Sequence, residues 1–178
     1  MPGPFGGAVT AINDAGVVVG YSYLGSGNPR AFVWSNAVPT ELPLLPGGEA
    51  SYASDINENG WIVGRAGTAS GQGHAVLWRD AEPIDLGTLP GGTSSWATAI
   101  NDRGEIVGWS DRANSIDVRA VLWNEDGEII DLGTLPGGTF SAAMDINKRG
   151  EIAGMANATA LDPAHAVLWE LRGGGSGK

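Results

Sequence analysis

The sequence predicts an all-β fold assembled from four copies of one unit. The motif Ile-Asn-x-x-Gly occurs four times, with asparagines 44, 44 and 46 residues apart at Asn13, Asn57, Asn101 and Asn147. A tryptophan recurs in step, at Trp34, Trp78, Trp123 and Trp169. No stretch carries the apolar stripe of a helix, and 29 glycines and 10 prolines interrupt the chain. Such a period indicates a unit that buries its apolar face by stacking on its neighbours.

The third copy shows the predicted strands most clearly. Residues 97–100 and 105–108 flank Asn101–Gly104, which predicts a type I turn closed by a left-handed glycine. Arg119–Trp123 is apolar at nearly every position, as in a strand covered on both faces. Residues 130–135 partly alternate and predict a fourth, half-buried strand. Four antiparallel strands and a recurring tryptophan in about 44 residues are typical of a β-propeller blade.

The predicted domain organisation is a single repeat array over residues 1–172. Its repeats span about 1–45, 46–89, 90–135 and 136–172. Residues 173–178 are glycine-rich, match no repeat and have the composition of an added flexible linker. The fourth repeat runs into this tail, so we expect its fourth strand to be lacking.

An array of fifteen strands would have two open ends, and open strand edges favour association. We therefore expect a homo-oligomer, with two chains forming an eight-bladed ring. A closed four-bladed monomer is the alternative, since propellers typically have four to eight blades.

Positions that stay apolar in every copy predict the core. Two such sets are Ile12, Ile56, Ile100 and Ile146, and Val33, Leu77, Leu122 and Leu168. One position varies without pattern and is predicted to face solvent, at Val17, Trp61, Glu105 and Glu151. The tryptophans of the third strands, which never vary, are predicted to pack between blades.

The amino-acid composition limits the classes of partner that the chain is expected to bind. Acidic residues outnumber basic ones 20 to 10, which disfavours nucleic acid and anionic membranes as partners. No apolar run approaches 18 residues, so we expect no membrane insertion, and no signal-peptide pattern is present. The chain has no cysteine, which leaves the redox compartment open.

Three motifs resemble the bacterial extracellular repeats of the HAF family. They are His-Ala-Val-Leu-Trp at His74–Trp78 and His165–Trp169, Asp-Leu-Gly-Thr-Leu-Pro-Gly-Gly at Asp85–Gly92 and Asp131–Gly138, and Ile-Asn-x-x-Gly-x-Ile-Val-Gly at Ile100–Gly108. The resemblance implies an extracellular or cell-surface setting and a β-propeller, and it carries no defined activity. The first copy departs from the pattern, with Arg30 where the second and fourth have histidine.

Aromatic residues outside the constant positions are the candidate ligand-binding residues. They are Tyr21, Tyr52, Trp96, Trp109 and Phe140. Loop-borne aromatics that differ between blades suit stacking on a sugar or a peptide. The alternative is that these rings fill gaps between loops of unequal size.

Two polar patterns contain residue types that can bind a metal. His74 and His165 share a position with Arg30 and Arg119, so we expect a hydrogen-bonding role, with an aspartate such as Asp85 or Asp131 as partner, rather than metal ligation. Residues 55–60 match half of a calcium loop, but Ala66 stands where the twelfth-position carboxylate should be. We therefore predict no metal and no cofactor.

The sequence thus favours a non-catalytic extracellular module that acts as a binding or assembly scaffold. No cysteine, Gly-x-Ser-x-Gly motif or phosphate-binding loop supports catalysis. The alternatives are a lectin-like propeller or part of a carbohydrate-active enzyme, and an excised or engineered repeat fragment.

Overall fold

The computed structural model describes residues 6–23, 27–36, 38–113 and 117–170. These residues form four antiparallel sheets in which each strand pairs with its neighbours in chain order. Residues 171–178, which include the predicted linker, lie outside the described residues. Within the described part, we find no helical segment with the length and apolar character needed to span a bilayer.

Each sheet corresponds to one repeat. The first contains β1 (Gly7–Ile12), β2 (Val18–Tyr23), β3 (Pro29–Ser35) and β4 (Val38–Glu41), and the second contains β5 (Ser51–Ile56), β6 (Ile62–Gly67), β7 (Gly73–Arg79) and β8 (Glu82–Gly87). The third contains β9 (Ser95–Ile100), β10 (Ile106–Asp111), β11 (Val118–Trp123) and β12 (Ile129–Asp131). The fourth contains β13 (Ser141–Ile146), β14 (Glu151–Ala156) and β15 (His165–Glu170). The all-β fold with four propeller-like blades is confirmed, including three described strands in the last.

The predicted turn joins the first two strands of every sheet. In the second sheet the amide of Gly60 donates to the carbonyl of Asn57, at 3.1 Å. The glycines of all four turns have φ between +75° and +84°, a region that an L side chain rarely adopts. The asparagine side chain completes the turn, since Asn57 Oδ1 accepts from the amide of Trp61 at 2.9 Å.

The sheets stack face to face in chain order, with the first strands of successive sheets in contact. Between them lie the constant tryptophans: Trp78 is 2% exposed and Trp123 is fully buried. Each indole donates to a carbonyl of the preceding sheet, Trp78 to Pro43 and Trp123 to Leu86, both at 2.8 Å. The predicted packing role of these two tryptophans follows from this contact.

A ladder of asparagine side chains connects the sheets at the turn end. Each Nδ2 donates to the main-chain carbonyl of the equivalent asparagine one sheet further on. The three bonds join Asn13 to Asn57, Asn57 to Asn101 and Asn101 to Asn147, at 3.2, 3.0 and 3.2 Å. The asparagine therefore closes its own hairpin and also fixes the register of the next sheet.

Buried serines provide a second link at the opposite end of the first strands. Each hydroxyl oxygen accepts a main-chain amide from the third strand of the preceding sheet. The bonds join Ser51 to Ala31, Ser95 to Ala75 and Ser141 to Ala120, at 2.8–3.0 Å. Each sheet interface is thus held at both ends with an apolar layer between.

Two predicted core residues are exposed. Ile12 is 65% exposed, whereas Ile56, Ile100 and Ile146 are at most 6% exposed. Leu168 is 60% exposed, although Leu122 in the same position is buried. Both lie on the outward faces of the end sheets, where no neighbouring sheet covers them. The position of Trp61, predicted to face solvent, is half-buried in every sheet.

We predict that Asn57→Ala lowers the free energy of unfolding by about 2–3 kcal/mol, because it removes the acceptor of the Trp61 amide and one of the two donors to the buried carbonyl of Asn101. Asn124→Ala is the matched control. Asn124 makes the same turn, accepting from the amides of Asp126 and Glu128, but it is half-buried and, among the described residues, its side chain bonds only within its own sheet. Urea denaturation measures both, and equal losses would contradict a stabilising role for the ladder.

Candidate functional site

Four of the five candidate aromatics form one continuous row across three sheets. The ring of Tyr21 lies 5.0 Å from that of Tyr52, which lies 5.7 Å from Trp96, which lies 6.4 Å from Trp109. These separations are those of interacting aromatic pairs. Phe140, the fifth candidate, lies beside the end of the row that is nearest the fourth sheet.

Strand pairing explains how residues distant in sequence meet in this row. Tyr52 and Trp96 occupy the second position of β5 and β9, and Trp109 pairs directly with Trp96 across β9 and β10. Burial, followed by a hydrogen bond with Tyr23, raises the pKa of the Tyr52 phenol above its ordinary value. Tyr52 and Trp96 lie near the beginning of their strands, and the ladder asparagines Asn57 and Asn101 follow the ends of the same strands. The row therefore lies at the rim opposite the asparagine ladder.

Arg65 is also part of this row, although the sequence pattern did not indicate it as a site residue. Its guanidinium carbon lies 5.3 Å from the ring centroid of Trp96 and 5.9 Å from that of Trp109. Nη2 donates to Ser94 Oγ at 2.9 Å, while Nε is buried without a hydrogen-bond partner among the described residues. Burial lowers the pKa of Arg65. The alignment of the repeats contains a signal that could have identified Arg65, because it shares a position with Tyr21 and Trp109.

Phe140 is positioned by the loop that enters the fourth sheet. The side-chain oxygen of Asn157 accepts from the amides of Thr139 and Phe140, at 3.0 and 2.9 Å. An isolated bridge also joins Phe140 to Val118 of the third sheet. These contacts hold the phenyl group beside the end of the aromatic row.

A pocket of about 580 Å³ opens at this place, on the side where the first strands converge. It is lined by residues from three sheets: Ser54, Trp96, Thr98, Trp109, Val118, Phe140, Ala142, Met144 and Met155. Of the five candidate residues, the structure therefore brings Trp96, Trp109 and Phe140 to the pocket. Tyr21 and Tyr52 continue the row away from it.

The repeat itself explains why the pocket is there. Tyr52 and Trp96 extend the row at the second and third sheets, but the equivalent residue of the fourth sheet is Ala142. The next position in the row, held by Arg65 and Trp109, is Met155 in that sheet. A missing ring at Ala142 thus leaves space beside Trp96 and Trp109 that an aromatic side chain would occupy.

The two hydroxyl groups that line the pocket already make hydrogen bonds within the protein. Ser54 Oγ accepts from Trp96 Nε1 at 2.8 Å. Thr98 Oγ1 lies within hydrogen-bonding distance of the carbonyls of Val107 and Ala143, at 3.0 and 2.9 Å. The remaining lining side chains are apolar apart from the indole N–H groups, of which only that of Trp109 has no hydrogen-bond partner among the described residues. The arrangement suits an apolar group and offers few hydrogen bonds to a polar one.

One of the two histidines, His74, makes the predicted contact with an aspartate. His74 Nδ1 lies 3.0 Å from both carboxylate oxygens of Asp85. Arg30 makes the equivalent pair with Glu41 at 3.3 Å, which is a hydrogen-bonding role that histidine and arginine can share. Arg119 departs from this pattern and pairs with Asp117 at 3.6 Å. His165 is exposed at the start of β15.

The oxygens of the half calcium loop serve the main chain. Asp55 Oδ1 accepts from the amide of Ile56, and Oδ2 accepts from the amide of Ile100 in the third sheet, at 2.8 and 2.9 Å. Burial raises the pKa of Asp55 even though these two bonds act in the opposite direction. No cluster of three or more His, Asp or Glu side chains suited to a metal occurs within the described ranges.

Comparison with known proteins identifies the fold alone. No protein-family model matches the chain, and no curated protein matches it in sequence. The crystal structure of TolB from Acinetobacter baumannii is similar to it, with a TM-score of 0.69 and 15% identity. The match covers 95% of this chain and 42% of that one, and the C-terminal domain of TolB is a β-propeller. The chain therefore has a propeller-like fold and spans less than half the length of TolB.

We predict that Ser94→Ala destabilises the protein more than Arg65→Met does. Removing the hydroxyl leaves a half-buried guanidinium without its partner, which costs about 1–2 kcal/mol. Replacing Arg65 with an apolar side chain of similar length removes both the contacts and the cost of burying the charge, and we expect a change within about 1 kcal/mol. Thermal and urea unfolding measure both variants, and a larger loss for Arg65→Met would contradict this account.

Proposed function

We propose that this chain is a non-catalytic binding module whose ligand site is the pocket beside Trp96, Trp109 and Phe140. The observation that carries the proposal is the interruption of the aromatic row at Ala142, which opens a cavity of about 580 Å³ between variable residues. The nine described lining residues include no acid, base or thiol that could transfer a proton or act as a nucleophile. Binding without turnover is the function that this lining supports.

The ligand we propose is an apolar side chain presented by a peptide. Ligand sites combine a mostly apolar lining with a few polar groups that fix orientation. Here the hydroxyls of Ser54 and Thr98 are used within the protein, so few groups are left for the many hydroxyls of a sugar. An aromatic or branched aliphatic side chain would replace the ring that Ala142 lacks.

Carbohydrate binding is the second candidate. The observation that favours it is the pair of neighbouring indoles, whose centroids lie 6.4 Å apart and whose planes differ by 40°. Flat aromatic surfaces of this kind stack on apolar ligand faces. The resemblance of the repeats to the HAF family supports a place outside the cell for either function, and we include that setting in the proposal.

Peptide and glycan arrays test the assignment. On immobilised pentapeptides Gly-Ser-X-Ser-Gly, we expect retention when X is Phe, Trp or Leu and none when X is Ser or Asp. Ala142→Trp, which fills the cavity with the residue of the third repeat, is expected to weaken retention at least tenfold, or about 1.4 kcal/mol. Met144→Glu, at a side chain that is 49% exposed, is expected to do the same by adding a charge.

Val38→Glu is the matched control. Val38 is 62% exposed on β4, outside the pocket, so this variant should bind like the unmodified chain. Preferential retention on glycans that Ala142→Trp abolishes would overturn the peptide assignment and support the second candidate. Retention on neither array, or retention that Ala142→Trp leaves unchanged, would overturn the binding function of the pocket.

A further inference from the structure

The outward faces of the first and fourth sheets expose apolar residues at positions of the repeat that the inner interfaces bury. On the first sheet, Val9 and Ile12 are each 65% exposed, while Ala53 and Ile56 of the second sheet are buried in the same positions. On the fourth sheet, Leu168 is 60% exposed. The two faces are therefore the two halves of an interface that the chain already forms three times.

We propose that the outward face of the fourth sheet docks on the outward face of the first sheet in a second copy, and that two such contacts close a ring of eight sheets. The contact is head to tail, so the two surfaces differ and closure depends on the rotation between copies. Two copies supply eight blades, the upper end of the usual range, whereas three would supply twelve. The exposure of both faces in one chain disfavours the closed four-bladed monomer.

The asparagine ladder would continue across this contact. In the inner interfaces, each asparagine carbonyl accepts both from its own turn glycine and from the preceding asparagine side chain; Asn57 O accepts from Gly60 and from Asn13. The carbonyl of Asn13 accepts from Gly16 and has no second donor among the described residues. Asn147 Nδ2, at the other end of the chain, is the group that would supply it.

Hydrogen bonding at the adjacent position would also continue across this contact. The amide of Asp14 donates to Glu58 Oε1, and the amide of Glu58 donates to Asp102 Oδ1, both at 3.0 Å. The hydrogen bond from the Glu58 amide is the main cause that lowers the pKa of Asp102, and the contact with Lys148 lowers it further. The amide of Lys148 would next donate to the carboxylate of Asp14 in the second copy. The carboxylate of Asp14 would thus meet the main-chain amide of Lys148, whose ammonium group lies 3.4 Å from Asp102 in the same chain.

The first sheet also has space for the incoming side chain. A cavity of about 280 Å³ lies on its outward face, lined by Gly7, Ala8, Val9, Val18, Tyr21, Ser22 and Trp34. Leu77 and Leu122, equivalent to Leu168, are buried against the next sheet in the same direction. Two links would be missing, since Gly7 replaces the buried serine and Met144 replaces the threonine of the third repeat. The contact between copies should therefore be weaker than those within the chain.

Light scattering over a concentration series tests the proposal. We expect the mass to rise to twice the 18.2 kDa of one chain and to stop there. Ile12→Asp and Leu168→Asp should each shift the midpoint of dimerisation at least tenfold to higher concentration, while circular dichroism confirms that each variant remains folded. Leu161→Asp, at a position that is 96% exposed and outside both faces, is the control and should dimerise normally.

Two further comparisons separate this contact from general stickiness. Asn147→Asp keeps the turn acceptor but removes the ladder donor, and it should weaken the dimer, whereas Asn124→Asp, in the same turn geometry within the third sheet, should not. Mixing Ile12→Asp with Leu168→Asp should restore a heterodimer through the one intact head and tail. A persistent monomer, growth beyond two copies, or a dimer that Ile12→Asp leaves unchanged would overturn the proposal.

Discussion

The buried asparagine of the Ile-Asn-x-x-Gly motif is the interaction on which the architecture depends. Its side-chain oxygen closes a hairpin and its amide group joins the next sheet, as Asn57 does toward Trp61 and Asn101. Because the asparagine is buried, losing its side chain removes the acceptor of a turn amide and one of the two donors to the next sheet's carbonyl, where little water can replace them. Local turn and long-range stacking are therefore specified by one residue. This explains why the motif is retained in repeats that differ elsewhere.

At the opposite rim, hydrogen bonds to buried serines hold the sheets together, and the neighbouring positions differ between repeats. Tyr21, Tyr52, Trp96 and Trp109 fill successive gaps, and Arg65 stacks among them. One small residue, Ala142, is enough to interrupt the series and create a cavity. Architecture and the candidate site thus reside at opposite ends of the same strands, so one can change with little cost to the other.

Comparison of the four copies was sufficient to predict the strands, the glycine turns and the His74–Asp85 pair, because these depend on short-range pattern. It failed for Ile12 and Leu168, since a repeat pattern gives no sign of which copy has an uncovered face. It identified the variable aromatics but missed Arg65, because only aromatic side chains were considered as stacking groups, and the contact of the guanidinium with Trp96 and Trp109 depends on packing between sheets. The cavity itself arises from the absence of a side chain at Ala142, which only packing makes visible.

The pocket has a consequence for how the chain opens. Within one chain taken alone, the sheets form a linear stack in which each is stabilised mainly by its immediate neighbours, so the terminal sheets of the monomer exchange their amide hydrogens soonest. The pocket is lined by the second, third and fourth sheets, and Phe140, Met144 and Met155 all belong to the terminal one. A ligand held there would connect the fourth sheet of the monomer to the second and third. Ligand binding in the pocket would therefore increase the protection of the amide hydrogens of the terminal strands against exchange with solvent.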